Sequence, residues 1–304
     1  MSVLITGATG FIGSNLANMM NEGGYDVYVT GTSGEQKPKY ITKVDLGSTN
    51  DWKQLKKNNL SVVIHLAANN DTLDTDRDGM FDANVRDSMA LFRRAIDIGV
   101  QKFVYASSTA VYGDSPAPYI EGKTPIKPLN VYAESKATLE EYASYLAKSA
   151  KVNMVGLRFC NVYGPGEDHK GTRASMIYQL YDLMNNGKNP RIFLDGNQKR
   201  DWVYVVDACR CLLAATHYWG VDVFNCGSGA ATTFNKLVEI LNDKLATKFG
   251  IHYFDNPNAA AYQAYTECDM GKARDKLGFV PNFDIYLGIE KLVKHYADKK
   301  AGTK

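Results

Sequence analysis

The sequence predicts an α/β fold built on a doubly wound parallel sheet, and three observations carry that expectation. Short apolar runs alternate with helical patterns through the first half of the chain. Val62-Val63-Ile64 and Phe103-Val104-Tyr105 are continuously apolar, as strands buried on both faces must be. A glycine-spaced turn, Gly7-Ala8-Thr9-Gly10-Phe11-Ile12-Gly13, joins the first strand directly to the first helix.

Ser2-Val3-Leu4-Ile5 reads as a short buried strand. Glycines 7, 10 and 13 suit a tight turn, close backbone approach to a pyrophosphate and close helix–strand packing. The free N–H groups and positive dipole end of the following helix, 13–22, would then face the phosphates. The spacing is G-x-x-G-x-x-G rather than the commoner G-x-G-x-x-G. A ligand-free glycine-rich turn is the bland alternative, and strand, glycines and helix in order from residue 2 argue against it. The fold expected is therefore Rossmann-type. Further strands are expected at 26–30, 61–66, 102–106 and 153–158, with helices at 50–57, 79–98 and 132–149 between them.

After Gly164-Pro165-Gly166 the regular alternation stops. A helix at 172–186 and a strand at 191–194 are expected next. A short strand then leads into a helix over 203–218, followed by a strand at 223–225, a helix at 233–247 and the tail 283–299. This implies a smaller C-terminal substrate-binding domain. Residues 1–165 would form the dinucleotide-binding domain, with segments near 196–226 returning to it. Residues 166–195 and 227–304 would mainly hold the substrate.

The chain has 304 residues, enough for a large core, with 45% hydrophobic and 22% charged residues, ordinary for a globular protein. A net charge of +2 without a basic stripe argues against a nucleic-acid partner. No apolar run reaches transmembrane length, and the chain opens on a strand rather than a signal peptide, so a cytoplasmic protein without a membrane partner is expected. Five irregularly spaced cysteines read as buried thiols; Cys209-x-Cys211 lacks zinc spacing, and no metal is expected.

The chemistry-bearing stretch is Tyr132-Ala133-Glu134-Ser135-Lys136. On a helix, residues four apart share a face, so Lys136 lies one turn from the Tyr132 phenol. A phenol ordinarily holds its proton up to about pH 10 and serves as a base only if the phenolate is favoured. A buried cation beside it acts in that direction. Ser108, in Tyr105-Ala106-Ser107-Ser108, can hydrogen-bond the same substrate oxygen. Together the three side chains suit moving a proton on or off an alcohol while a hydride leaves or returns. Alone, Y-x-x-x-K is usually ordinary helix surface. The end of the strand 26–30 carries no acid to bond ribose hydroxyls, while Thr32 and Ser33 can donate to a phosphate and Lys37 or Lys39 can neutralise it. NADP is therefore expected, with NAD the alternative.

These features resemble the extended short-chain dehydrogenase/reductases, the nucleotide-sugar epimerases and dehydratases. Beside the glycine turn and the Tyr132/Lys136 pair, the resemblance rests on Asp45-Leu46, His65-Leu66-Ala67-Ala68, Asn84, Ser107-Ser108, Arg158-Phe159-Cys160-Asn161-Val162-Tyr163-Gly164-Pro165 and Arg200-Asp201-Trp202-Val203-Tyr204-Val205-Val206-Asp207. It implies a tightly held nicotinamide cofactor contacted by Gly7, Thr9, Gly10, Phe11, Ile12, Gly13, Thr32, Ser33, Asp45, Leu46, Leu66, Ala67, Ala68 and Asn84, together with Tyr132 and Lys136. It also implies a nucleotide-sugar substrate and a homo-oligomer pairing through the helices near 83–98 and 132–149.

Within that family, Lys127–Tyr132, Asp168-His169-Lys170-Gly171-Thr172-Arg173-Ala174-Ser175 and Tyr262-Gln263-Ala264-Tyr265-Thr266 resemble the ADP-glyceromanno-heptose 6-epimerases. By that resemblance Lys170 is a second catalytic base opposite Tyr132; read alone, it is equally a surface lysine. Ser108, Asn161, His169, Ser175, Arg200 and Tyr262 are the expected substrate-binding residues. Arg200 either meets a phosphate or pairs with a carboxylate such as Asp201. Tyr262 contacts the nucleotide end or sits in a core, His169 is a loop residue near the substrate, and His65 is structural. The chain departs from the heptose enzymes at Gly7-Ala8-Thr9-Gly10 and at His65–Asp71, which puts the exact sugar in doubt.

Thr109-Ala110 stands where the related dehydratases place an acid pair, so water elimination is disfavoured. A UDP-hexose 4-epimerase and a nucleotide-sugar reductase are the rival enzymes. A non-catalytic dinucleotide-binding regulator is a remote alternative, because the Tyr–Lys pair is intact.

Overall fold

The computed structural model describes residues 1–31, 42–256 and 263–302. In chain order its elements begin β1 (Ser2–Thr6), α1 (Phe11–Glu22), β2 (Asp26–Thr30), β3 (Thr42–Lys43), α2 (Thr49–Lys57), β4 (Val62–His65), α3 (Arg77–Phe81), α4 (Asp87–Asp97), β5 (Lys102–Ser108), α5 (Val131–Ala150) and β6 (Asn153–Phe159). The chain continues through β7 (Asn161–Tyr163), α6 (Met176–Asn185), β8 (Arg191–Phe193), β9 (Lys199–Tyr204), α7 (Val205–Ala215) and β10 (Val221–Cys226). It ends with β11 (Ala231–Thr233), α8 (Phe234–Leu245), β12 (His252–Phe254), α9 (Gly271–Leu277) and α10 (Ile285–Gly302).

Seven parallel strands form one sheet in the order β10-β6-β5-β4-β1-β2-β3, a doubly wound Rossmann-type arrangement. Alternate residues of β1 enter opposite cores. Val3 and Ile5 pack with Leu16 of α1 and Leu212 of α7, whereas Leu4 packs with Trp52 of α2, Phe92 of α4 and Leu139 of α5. Strand order reverses at the β1–β4 pair, where Thr6 faces His65 in register. In such sheets the cleft beyond this reversal is where a ligand sits. A second layer, β11-β9-β7, packs over α6, α8 and α10 through Tyr163, Ile177, Trp202, Leu237 and Leu292. β8 and β12 form a separate parallel pair.

Three expectations need correction. The helix read over 79–98 is α3 and α4 joined by a π-helical turn, Asp82–Arg86, which carries Asn84. The helix read over 203–218 begins only at Val205, because Val203 and Tyr204 pair with Val162 and Tyr163 as the end of β9. The helix read over 172–186 is a 3₁₀ turn, Asp168–Arg173, then α6 capped by Ser175. The short strands β3, β7, β11 and β12 and the helix α9 lie beyond what the sequence pattern predicts. All five cysteines are buried, and Cys160 and Cys268 place their Sγ atoms 2.6 Å apart. Among the described residues no helix is long and apolar enough to cross a membrane.

Candidate active site

The glycine turn lies at the carboxyl end of β1. Gly7 has φ +68°, and a Cβ there would come within 2.7 Å of the Ala67 nitrogen. A Cβ on Gly13 would lie 2.2 Å from the Gly7 carbonyl oxygen. Side chains at either position would close the gap between α1, β1 and the segment after β4. Gly10 caps α1 without a side-chain bond, so the first-turn N–H groups gain no side-chain acceptor. A bare, positively polarised helix end beside a glycine-lined gap fits a dinucleotide pyrophosphate.

The Thr6 hydroxyl accepts from the Leu66 and Ala67 nitrogens, at 3.2 Å each, and bonds His65 Nδ1 at 2.7 Å. His65 Nε2 meets Ser88 Oγ at 2.7 Å, and Ser88 donates to the Asn84 carbonyl. Because Ser88 spends its proton there, the imidazole donates through Nε2 and accepts through Nδ1. Burial pushes its pKa down to about 3, with the Lys136 charge acting the same way. His65 is thus a neutral structural clasp, in agreement with the sequence reading. Asn84 is fully buried and accepts from the Asn69 nitrogen while donating to Asn69 O and Ser135 Oγ. Its amide holds the post-β4 loop against α5. Leu66 and Ala67 lie along the gap. Ala68 follows them in the same segment, and Asp45 and Leu46 follow β3, where Leu46 O accepts from Trp52 Nε1 and the Arg94 guanidinium. Thr32, Ser33, Lys37, Lys39 and Tyr262 lie outside the described residues.

Tyr132 occupies the first turn of α5, which Asn130 caps by accepting from the Ala133 nitrogen at 2.8 Å. Ser108 ends β5, and its hydroxyl acts on the phenol to lower its pKa. Lys136 is buried, with Nζ 5.8 Å from the centre of the Tyr132 ring, and donates to the Ala106 carbonyl at 3.1 Å. Burial lowers its pKa to about 8, while Glu140 one turn on acts to raise it. The expectation that Lys136 lowers the phenol pKa is not met by this arrangement. Burial pushes Tyr132 up, and the opposing pull comes from the Ser108 hydrogen bond. The ammonium is directed at a backbone carbonyl instead. Glu140 itself forms a buried bidentate pair with Arg158, at 2.9 and 2.6 Å, and accepts from Ser107.

Lys170 lies in the 3₁₀ turn with Nζ 5.4 Å from the Phe11 ring centre, which places it beside the start of α1. It opens on a cavity of about 440 Å³. Arg173, Arg191 and Arg200 line the same cavity, whose walls contain no carboxylate among the described residues. Asn161, Ser175 and Thr72 add polar groups, and Phe193, Trp202, Phe234 and Phe254 form apolar walls. Burial lowers the Lys170 pKa and Arg173 acts the same way, against Glu167. The Asp201 carboxylate, one partner considered for Arg200, accepts instead from Ser228, Gly229 and Cys268. His169 is exposed and outside the cavity walls. Ser108 and Tyr132 also lie outside those walls, although Ser108 pairs in register with Phe159, which leads through Cys160 to Asn161 in the wall. Sequence reading missed Arg173, Arg191, Phe193 and Phe254. The available signal was Arg191-Ile192-Phe193, whose alternation sends Ile192 into the core and its neighbours to the cavity.

A dinucleotide gap at a sheet reversal, a Ser–Tyr–Lys set on β5 and α5, and a cation-lined cavity define a class. The family model described as "NAD dependent epimerase/dehydratase family" matches residues 3–227, and the chain belongs to that family. Among solved structures the chain is similar to UDP-glucose 4-epimerase from Thermotoga maritima, at 27% identity over 99% of this chain and 100% of that one, with a TM-score of 0.89. It is also similar to ADP-L-glycero-D-manno-heptose-6-epimerase from Helicobacter pylori, at 29% identity over 97% and 96%, with a TM-score of 0.84. A third similar structure is the Thermus thermophilus UDP-glucose 4-epimerase in complex with NAD, at 25% identity over 98% and 99%, with a TM-score of 0.85.

Proposed function

We propose that this chain is a nucleotide-sugar epimerase that oxidises and re-reduces one carbinol carbon, with ADP-glyceromanno-heptose or a close relative as substrate. The observation that carries the reading is the cavity beside α1, with Lys170, Arg173, Arg191 and Arg200 and, among the described residues, no carboxylate in its walls. In a chain of net charge +2, four cations around one cavity are a local arrangement that suits a diphosphate. Aromatic walls suit the base and sugar faces. The His169-Lys170-Gly171 context supports the heptose. A UDP-sugar 4-epimerase is the second reading, favoured by the likeness to the Thermotoga maritima enzyme.

When bound, an oxidised nicotinamide supplies the acceptor that takes hydrogen from the carbinol carbon and returns it to the other face. The glycine turn and the α1 N-terminus would hold its pyrophosphate. Tyr132, with Ser108 beside it, takes the hydroxyl proton from one epimer. Lys170 serves the other, because the two epimers present their hydroxyl groups from different directions. Lys136 holds the ribose side of the site. Residues 1–165 with 196–226 are read as the dinucleotide-binding part and the rest as the substrate-binding part. Assembly as a homo-oligomer through α4 and α5 belongs to the same reading; Tyr145 on α5 is 72% exposed.

The test is incubation with ADP-heptose, without added reductant, in deuterated water. The expected result is interconversion of epimers with no solvent deuterium at the epimerised carbon. Deuterium at that carbon would signal proton abstraction next to a carbonyl and overturn the mechanism.

A further inference from the structure

Resting on the assignment of Lys170 as an acid–base group, the geometry points to Glu167 as its positioning residue. Glu167 is fully buried. Its Oε1 accepts from the Gly164 nitrogen at 3.0 Å and from Ser175 Oγ at 2.9 Å, and its Oε2 accepts from the Ser175 nitrogen at 2.6 Å. Gly164 precedes the lysine turn and Ser175 caps α6 after it, so one carboxylate closes the whole segment 164–175 into a loop. The Glu167 carbonyl also accepts from the Lys170 nitrogen at 3.0 Å. The same residue thus anchors both ends of the loop and the backbone of the lysine it carries.

Among the described residues the carboxylate forms no salt bridge. All three of its bonds come from two backbone N–H groups and one hydroxyl, while Lys170 feels it through space. Buried negative charge behind the turn opposes the desolvation that would strip the lysine of its proton, and the Arg173 guanidinium acts against it. Glu167 itself reaches no cavity wall. Its effect on the reaction must pass through the lysine.

Glu167→Gln keeps the volume but cannot make all three bonds, because its NH₂ group must face the Ser175 or the Gly164 N–H donor. Displacing a reacting group by about 1 Å costs on the order of 10²-fold. The expected result is a kcat lower by about that factor, with little change in KM and full retention of dinucleotide. Adding Lys170→Met should then cost nothing beyond Lys170→Met alone, since both changes remove one function. Equal losses from Glu167→Gln in the two backgrounds, or a soluble Glu167→Gln with wild-type kcat, would overturn the inference. Lys170→Met with wild-type kcat would instead refute the assignment of Lys170 itself. Should Glu167→Gln not fold, Ser175→Ala removes one of the three bonds. It should lower kcat non-additively with Lys170→Met, and a fully additive loss of kcat would count against the proposal.

Discussion

Tyr132 and Lys170 are each desolvated, and in each burial favours the neutral form, raising the phenol and lowering the ammonium pKa. The two shifts act in opposite directions on groups that in water would both titrate well above neutrality. In the proposed cycle each of the two serves as the acid–base group for one epimer. Tyr132→Phe and Lys170→Met should therefore each lower net epimerisation by about 10²–10⁴-fold while leaving melting temperature and bound dinucleotide unchanged. Each variant should still run the half-reaction of the epimer handled by the surviving group, read as reduction of the bound nicotinamide without net epimerisation. Lys170→Met within a few-fold of wild type at saturating substrate would reduce Lys170 to a loop lysine and remove most of the case for the heptose.

At the scale of elements, the Thr6–His65–Ser88 clasp ties β1, β4 and α4 together. Because its folded pKa of about 3 lies well below the unfolded value near 6.5, the unfolded chain binds the extra proton first. Stability from this group is therefore complete above pH 6.5 and is lost as pH falls toward 3, with a slope approaching about 1.4 kcal/mol per pH unit. His65→Gln should lower stability at neutral pH but flatten that acid slope. Denaturant titrations of both proteins between pH 7 and 5 provide the comparison, and parallel slopes would contradict it.

The glycine turn and the Tyr132/Lys136 pair are local, each contained in one turn or one helix, and both were legible. Arg191, Phe193 and Phe254 meet only because β8 pairs with the distant β12, and no local periodicity announces that pairing. The π-helical turn at Asn84 was hidden because the apolar pattern of 79–98 runs on through it. The direction of the Lys136 ammonium depends on the Ala106 carbonyl across the α5–β5 contact, which spacing within one helix cannot show.

For the whole molecule, the choice between the two cofactor forms turns on the loop after β2. β2 ends at Thr30, followed by Gly31, and neither supplies an acid for ribose hydroxyls. The expectation of NADP rests on that absence and on Thr32 and Ser33, whereas the family description names NAD. Denaturing the purified protein and identifying the released dinucleotide decides between them; a clean NAD result would show that the loop was misread.

The placement of β10 has a consequence for how this chain is made. β10 pairs with β6 as the last strand of the central sheet, yet it is encoded beyond the lysine turn and most of the cavity wall. A ribosome-bound chain that has emerged only as far as β6 must present that strand's backbone unpaired, a template for association with another chain. The sheet is finished only after residues 161–220 have passed through, so the central sheet and the β11-β9-β7 layer cannot mature one after the other. Cutting the gene between them would leave an exposed strand edge on the first piece and an orphan strand on the second.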